Sequence, residues 1–285
     1  MEYIVKEKNG EKITTKMLQK KLYEALKEID KICEENKIDY FLADGTCLGA
    51  VRHQGFIPWD DDVDIAMSRK DYNKFIKALE KNLSDKYTYH CYEKSKKYLV
   101  TWPAMKIRIK NTYIKEKNFL LNNKCKDSDG IFIDVFIYDY MAKHRIFDIP
   151  LRTINTILMP IIILFENVHI NPIPLKELFR LNARLYGKLC KKSEYFSDEI
   201  TWVFNPIHPY KTKYKDIYPT KKIKFEDTYL RVPGNYHNYL KTKYGNNYMT
   251  PVEEKERVCK HIKDINLNNE QQDNNFKYIF NERKN

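Results

Sequence analysis

A chain of 285 residues is long enough to bury a proper core, in one large domain or two smaller ones. Its 42% apolar and 32% charged residues exclude a disordered chain, and its six scattered cysteines, with no CxxC pair, exclude a zinc site or disulfide framework of recognisable spacing. The formal charge of +12 points to anionic partners such as nucleotides, nucleic acid, phospholipid or phosphorylated glycan, or else to a lysine-rich solvated surface.

The opening "MEYIVKEKNGEKITT" has no uninterrupted apolar run, so no secretory signal is expected and the chain is expected in the cytosol, its thiols reduced. Leu18, Leu22, Leu26, Ile29 and Cys33 recur at three- and four-residue steps between charges, which predicts an amphipathic helix over 15–35. "DYFLADGT" reads as a short strand, Tyr40 to Leu42, ending in a turn at Asp44 and Gly45. "DVDIAM" reads as a second strand, and "SRKDYNKFIKALEKNL" as a helix with Tyr72, Phe75, Ile76 and Leu79 on one face and Ser68 or Asp71 as its cap.

Further on, "AMKIRIKN" and "GIFIDVFIYDYM" are strand-like by alternation and β-branched content. Lys106, Arg108 and Lys110 share one face of the first, either as a phosphate-binding face or as a solvated edge. The expected class is α+β, a mixed sheet with packed helices. The run "ILMPIIILF" within 146–174 falls short of the roughly 20 residues of a spanning helix and predicts a buried core helix or an interfacial helix lying against lipid. The expected divisions are a catalytic core over 1–145, a helical and loop extension over 146–265, and a polar, mobile tail over 266–285.

The chemistry concentrates in "GFIPWDDDVDIAM", where four aspartates fall within five positions beside an apolar strand. Strand alternation puts Asp62 and Asp64 on one side and Val63 and Ile65 on the other. Adjacent carboxylates repel unless a cation lies between them, and hard oxygen ligation suits Mg²⁺ or Mn²⁺. Asp60 and Asp61 alone read as a solvated acidic turn. Upstream, Gly45 and Thr46 follow a strand, where backbone N–H groups and a hydroxyl can approach a phosphate. Downstream, Asp134 sits in an apolar strand, a costly place for a carboxylate unless it is paired or metal-bound. Arg52 is a candidate phosphate contact, and His53 has no assigned role. Trp59 reads as packing for the loop or as a stacking surface. The seven histidines show no metal-binding spacing and none is assigned to a metal. The tyrosines between 210 and 248 read as packing, so nucleic acid is not an expected partner.

The motif "GTCLGAVRHQGFIPWDDDVDIAM" resembles the LicD family of phosphotransferases, and the likeness continues through "GIFIDVF" and "KFEDTYLRVPGNYHNYLKTKYGNNYMTPVEEK". Cys47 stands where that family commonly has leucine or glycine, Val252 follows Pro251 where a proline pair is usual, and Asp227 stands where glycine is usual. The resemblance implies a nucleotidyltransferase-like fold with a helical C-terminal extension. It also implies Mg²⁺-dependent transfer of a phospho-alcohol, such as phosphocholine from CDP-choline, to a sugar hydroxyl of a cell-surface glycan or its lipid-linked precursor. The family's acidic metal site then falls on Asp62, Asp64 and Asp134, assisted by Asp60. Gly45, Thr46 and Arg52 fall to the donor phosphates. A nucleotidyltransferase and a non-catalytic glycan-binding protein are the rival readings.

Overall fold

The computed structural model describes residues 3–8, 11–117, 120, 130–203 and 208–268. Strands β1 (Ile4–Lys8) and β2 (Glu11–Thr14) form a hairpin ahead of helix α1 (Thr15–Glu35). Thr14 caps α1 by accepting from the Met17 N–H, and the five predicted apolar positions are buried. Strand β3 (Tyr40–Leu42) follows. The expected turn at Asp44 and Gly45 is instead the first turn of helix α2 (Asp44–His53). The second glycine of this stretch marks close packing rather than a bend: a Cβ on Gly49 would lie 2.6 Å from the Gly55 carbonyl.

Strand β4 runs from Asp64 to Ser68, starting two residues later than "DVDIAM" suggested. Ser68 then caps helix α3 (Arg69–Asn82) by accepting from the Asp71 N–H at 3.1 Å. Strands β5 (Tyr87–Cys91), β6 (Met105–Ile109), β7 (Tyr113–Glu116) and β8 (Phe132–Met141) lead to a helical hairpin, α4 (Arg145–Asn167) and α5 (Ile173–Leu189). Strands β9 (Tyr195–Ser197) and β10 (Thr212–Lys213), helix α6 (Tyr214–Ile217), strands β11 (Lys221–Phe225) and β12 (Thr228–Val232), helix α7 (Tyr236–Tyr244) and strand β13 (Ile262–Asn266) follow among the described residues.

The class is α+β. In the central seven-stranded mixed sheet, β8 pairs in parallel with β4 and antiparallel with β6 and β9, while β3 and β5 join β4 and β6 from outside. The segment expected as a helical and loop extension also supplies strands: β9 and β10 extend this sheet, and β13 pairs with β7. The five described cysteines are free thiols, four of them buried. The polar tail beyond 268 lies outside the described residues.

Two expectations are corrected here. Lys106 and Arg108 are neither a phosphate-binding face nor a solvated edge. Both are 1% exposed, and they neutralise Glu116 and Asp134 from inside the fold. Helix α4 is only partly a core helix. Leu158, Met159 and Ile162 pack inward in a small apolar cluster with Phe179 and Val203, beside the buried polar Asp148, Arg152, Asn155 and Glu166, whereas Ile149, Ile154, Ile157, Ile161 and Leu164 face outward.

The hairpin is held by a buried ion pair. Lys176 Nζ lies 2.7 Å from Glu166, whose carboxylate also accepts from the Val100 N–H at 3.1 Å. Burial pushes the Glu166 carboxyl up and the Lys176 ammonium down, each opposed by its partner. Lys176→Met should therefore destabilise the protein by about 3–5 kcal/mol, because it leaves an unpaired buried carboxylate. Without its partner Glu166 holds a proton more tightly folded than unfolded, so the deficit relative to the parent should shrink as pH falls from about 7 to about 5. Paired melts across that range test this, and a pH-independent deficit would show that lost packing rather than charge is responsible.

Candidate functional site

The first turn of α2, the segment 57–64 leading into β4, and the stretch 244–261 frame a cleft of about 530 Å³. Asp60, Asp62 and Asp64 line it, together with Asp44, Arg52, Trp59, Lys260 and His261. The acidic segment is braced from several sides. Gln19 donates to the carbonyls of Ile57 and Asp60 at 2.9 Å each, and the Thr15 hydroxyl donates to Pro58 O at 2.7 Å. At the β11–β12 turn, the Glu226 N–H donates to Gln54 O, and its carboxylate accepts from the Phe56 N–H. A Cβ on Gly55 would fall 2.1 Å from that carboxylate, so any larger residue there would have to displace the Glu226 side chain. Asp227, in the same turn, accepts a hydrogen bond from Tyr23 and so ties the turn to α1.

Local alternation sets the direction of the aspartates. Val63 and Ile65 are fully buried, while Asp62 and Asp64 turn to the cleft. Thr46 faces away from the cleft lining, and its hydroxyl accepts from the Asp64 N–H at 2.9 Å, joining α2 to β4. Gly45 does line the cleft: a Cβ there would lie 2.9 Å from Asp60 Oδ2, so the glycine admits that carboxylate to the helix end. Arg52 also lines it, held by donation to Tyr248 O at 3.0 Å and to His53 Nε2 at 3.0 Å.

Parallel pairing places Asp134 directly beside Asp64. Asp134 is nonetheless absent from the cleft lining, because Lys106 Nζ donates to both of its oxygens at 2.9 and 3.2 Å. Burial raises the Asp134 carboxyl to about 6 against the pull of Lys106. Burial, and then the charge of Asp62, push Asp60 and Asp64 well above the usual carboxylate range. Asp62 is raised by burial as well, opposed first by His261. The donor set is therefore a crowded group of partly buried oxygens with too little positive charge nearby, which fits a hard divalent cation.

Asp61 is not part of a solvated turn. It is 3% exposed and accepts from the backbone N–H groups of His261 and Ile262 at 3.0 and 3.2 Å. His261 Nδ1 lies 2.9 Å from Asp61 and 3.1 Å from Asp62. Against the downward push of burial, the hydrogen bond to Asp61 and the charges of Asp62 and Asp61 raise His261 to about 9. The ligand atoms of Asp61, Asp62 and His261 lie close enough together to hold a metal ion once His261 has lost its proton. No spacing in the sequence signals this histidine, since it lies 200 positions from Asp61. Asp44, which pairs with the nearly buried Lys243 at 2.9 Å, is a further cleft residue read from the sequence only as part of a turn.

Residues 37–160 match the family model described as LicD/FKTN/FKRP, nucleotidyltransferase domain. Over this segment the chain is similar to the LicD family. The match spans α2, the acidic loop, β4 and β8, the elements that position the aspartates. The lipopolysaccharide cholinephosphotransferase LicD of Haemophilus influenzae is 27% identical over 252 residues, covering 79% of this chain and 88% of that protein. Two rickettsial proteins match over a short stretch: RT0683 of Rickettsia typhi is 45% identical over 58 residues and RP689 of Rickettsia prowazekii 48% over 50, each about a fifth of this chain and 19% of the relative.

The crowding gives a direct test. In chelator-treated protein Asp64→Asn removes a carboxylate whose ionisation burial opposes, and it should raise stability by about 1–2 kcal/mol at neutral pH. The same variant should lose any Mg²⁺-induced rise in melting temperature. A variant that melts lower than the parent without metal, yet still responds to Mg²⁺, would show that Asp64 is structural.

Proposed function

We propose that the chain is a phosphotransferase that moves a phospho-alcohol, phosphocholine in the first instance, from a CDP-alcohol to a glycan hydroxyl. The observation that carries this reading is the set of three aspartates, Asp60, Asp62 and Asp64, lining one cleft inside the family-matched segment. The similarity to a lipopolysaccharide cholinephosphotransferase over most of both chains supports the choice of phosphocholine and of a glycan acceptor.

Asp60, Asp62 and Asp64 would hold a divalent cation, Mg²⁺ or Mn²⁺, with His261 and Asp61 at the edge of the site. When bound, that ion neutralises donor diphosphate charge. Asp61 is already committed to two backbone N–H groups and serves to fix the loop. Gly45, at the positive end of α2, and Arg52 take the donor phosphates. Thr46 positions rather than binds, through its bond to the Asp64 amide. Asp134, engaged by Lys106, places a further carboxylate beside Asp64 and raises the affinity of Asp64 for a proton.

In the reaction the acceptor oxygen forms a bond to the β-phosphorus while the bond from that phosphorus to the bridging oxygen breaks. CMP leaves with the electron pair, and the hydroxyl proton passes to an Asp64 carboxylate oxygen. Rate enhancement in such transfers comes mainly from positioning and charge neutralisation. Trp59, Tyr244 and Tyr248 give the cleft an aromatic wall suited to a quaternary ammonium or a base.

Asp62→Asn should reduce turnover of CDP-choline by about 10³-fold or more with the fold retained by circular dichroism. The mass gained by a glycan acceptor decides the chemistry. Gain of phosphocholine supports the proposal, gain of a nucleotide replaces it with nucleotidyl transfer, and full activity in Asp62→Asn removes the aspartates from the mechanism.

A further inference from the structure

Helix α4 is apolar on both sides. Its protein-facing side carries the buried Leu158, Met159 and Ile162 together with Asp148, Arg152, Asn155 and Glu166, each of these four at most 2% exposed. The four are anchored along the helix: Lys211 meets Asp148 at 2.7 Å, Asn155 Nδ2 donates to Ile200 O at 2.9 Å, and Lys176 meets Glu166 at 2.7 Å. The opposite side presents Ile149, Ile154, Ile157, Ile161 and Leu164, which are 39–66% exposed. Arg152 is the single charged residue from 149 to 165, and it points inward.

Helix α5 lies antiparallel to α4, because Lys176 meets Glu166, Asn182 meets Asn155 and Tyr186 meets Asp148. It adds a second stripe, Leu178, Leu181, Leu185 and Leu189, at 47–71% exposure. A continuous apolar face of this kind is held away from water in a finished protein. Residues 148–167 are long and apolar enough to cross a bilayer by length and composition alone. The ion pairs and hydrogen bonds along the inward side argue against crossing, because they fix α4 flat on the protein body. The end of the hairpin where α4 starts and α5 finishes is basic, with Arg145, Lys188, Lys191 and Lys192 all exposed.

We propose that the α4–α5 hairpin is a docking surface for an anionic lipid bilayer. It lies in the plane of the interface, with its outward isoleucines and leucines among the acyl chains and its lysines against acidic headgroups. This inference goes beyond the transfer reaction and stands without it.

The full chain is sedimented with vesicles of phosphatidylcholine containing phosphatidylglycerol, and with vesicles of phosphatidylcholine alone. The expected result is binding to the anionic vesicles, about tenfold or more tighter than to the neutral ones. The double variant Ile157→Asp/Leu164→Asp alters exposed side chains, so its melting temperature should match the parent, while vesicle binding should fall about tenfold or more. Lys188→Glu/Lys191→Glu/Lys192→Glu should remove the preference for anionic lipid. Parent protein that stays in the supernatant with both vesicle types would overturn the proposal, as would undiminished binding by the aspartate variant. Sedimentation velocity without lipid supplies the remaining arm: a dimer that the aspartate variant dissociates would assign the face to a second copy of the chain. None of these readouts involves catalysis, so they are separable from the fate of the transfer reaction.

Discussion

The constraint that orders this molecule is the repulsion among carboxylates packed into one short segment. Asp60, Asp62 and Asp64 are brought together in partial burial, where each raises the cost of ionising the others. Such a loop would spread apart if left to itself. It is kept closed by Gln19 and Thr15 from α1, by Glu226 from the β11–β12 turn, and by the Thr46 hydroxyl from α2. These contacts come from parts of the chain that carry none of the chemistry themselves. Much of the surrounding fold can be understood as the frame that holds an unfavourable arrangement in place.

The charges are balanced in two ways. Behind the cleft, Lys106 and Arg108 meet Asp134 and Glu116 in a buried network, flanked by the rings of Trp102 and Phe132. That network balances the charges of its members and leaves little capacity for a ligand. In front, His261 faces Asp61 and Asp62, while among the described residues Asp60 and Asp64 have no such cation so close. The unbalanced part of the cluster is therefore the part that opens to the cleft. This asymmetry is what separates a structural carboxylate from one able to take a cation.

Local patterns in the sequence foretold a good deal of this. The α1 helix, the Tyr40–Leu42 strand and the Ser68 cap follow from periodicity and capping chemistry, which depend only on neighbouring residues. The outward direction of Asp62 and Asp64 follows from alternation for the same reason. What sequence did not reveal rests on partners far away in the chain. Lys106 looked like a surface cation because nothing nearby shows that Asp134 and Glu116 will enclose it. Asp61 looked solvated because its partner lies 200 positions on. Helix α4 looked like core because hydrophobicity alone does not tell which side of a helix meets the protein, and here the buried side mixes Leu158, Met159 and Ile162 with four polar residues while a row of isoleucines faces outward.

The link between Asp61 and His261 also bears on how the protein is made. Strand β13 reaches back from near the end of the described chain to place His261, the residue just ahead of it, against an acidic loop from the first quarter of the sequence. During synthesis from the N-terminus, residues 60–64 emerge long before the group that neutralises them. Until Ile262 and its neighbours have left the ribosome, the loop must be shielded by solvent or ions instead. Contacts of such sequence separation close slowly. The cleft is thus among the last parts of the molecule to reach its final form, and a chain cut short before β13 would keep its aspartates but lack the clasp that sets them.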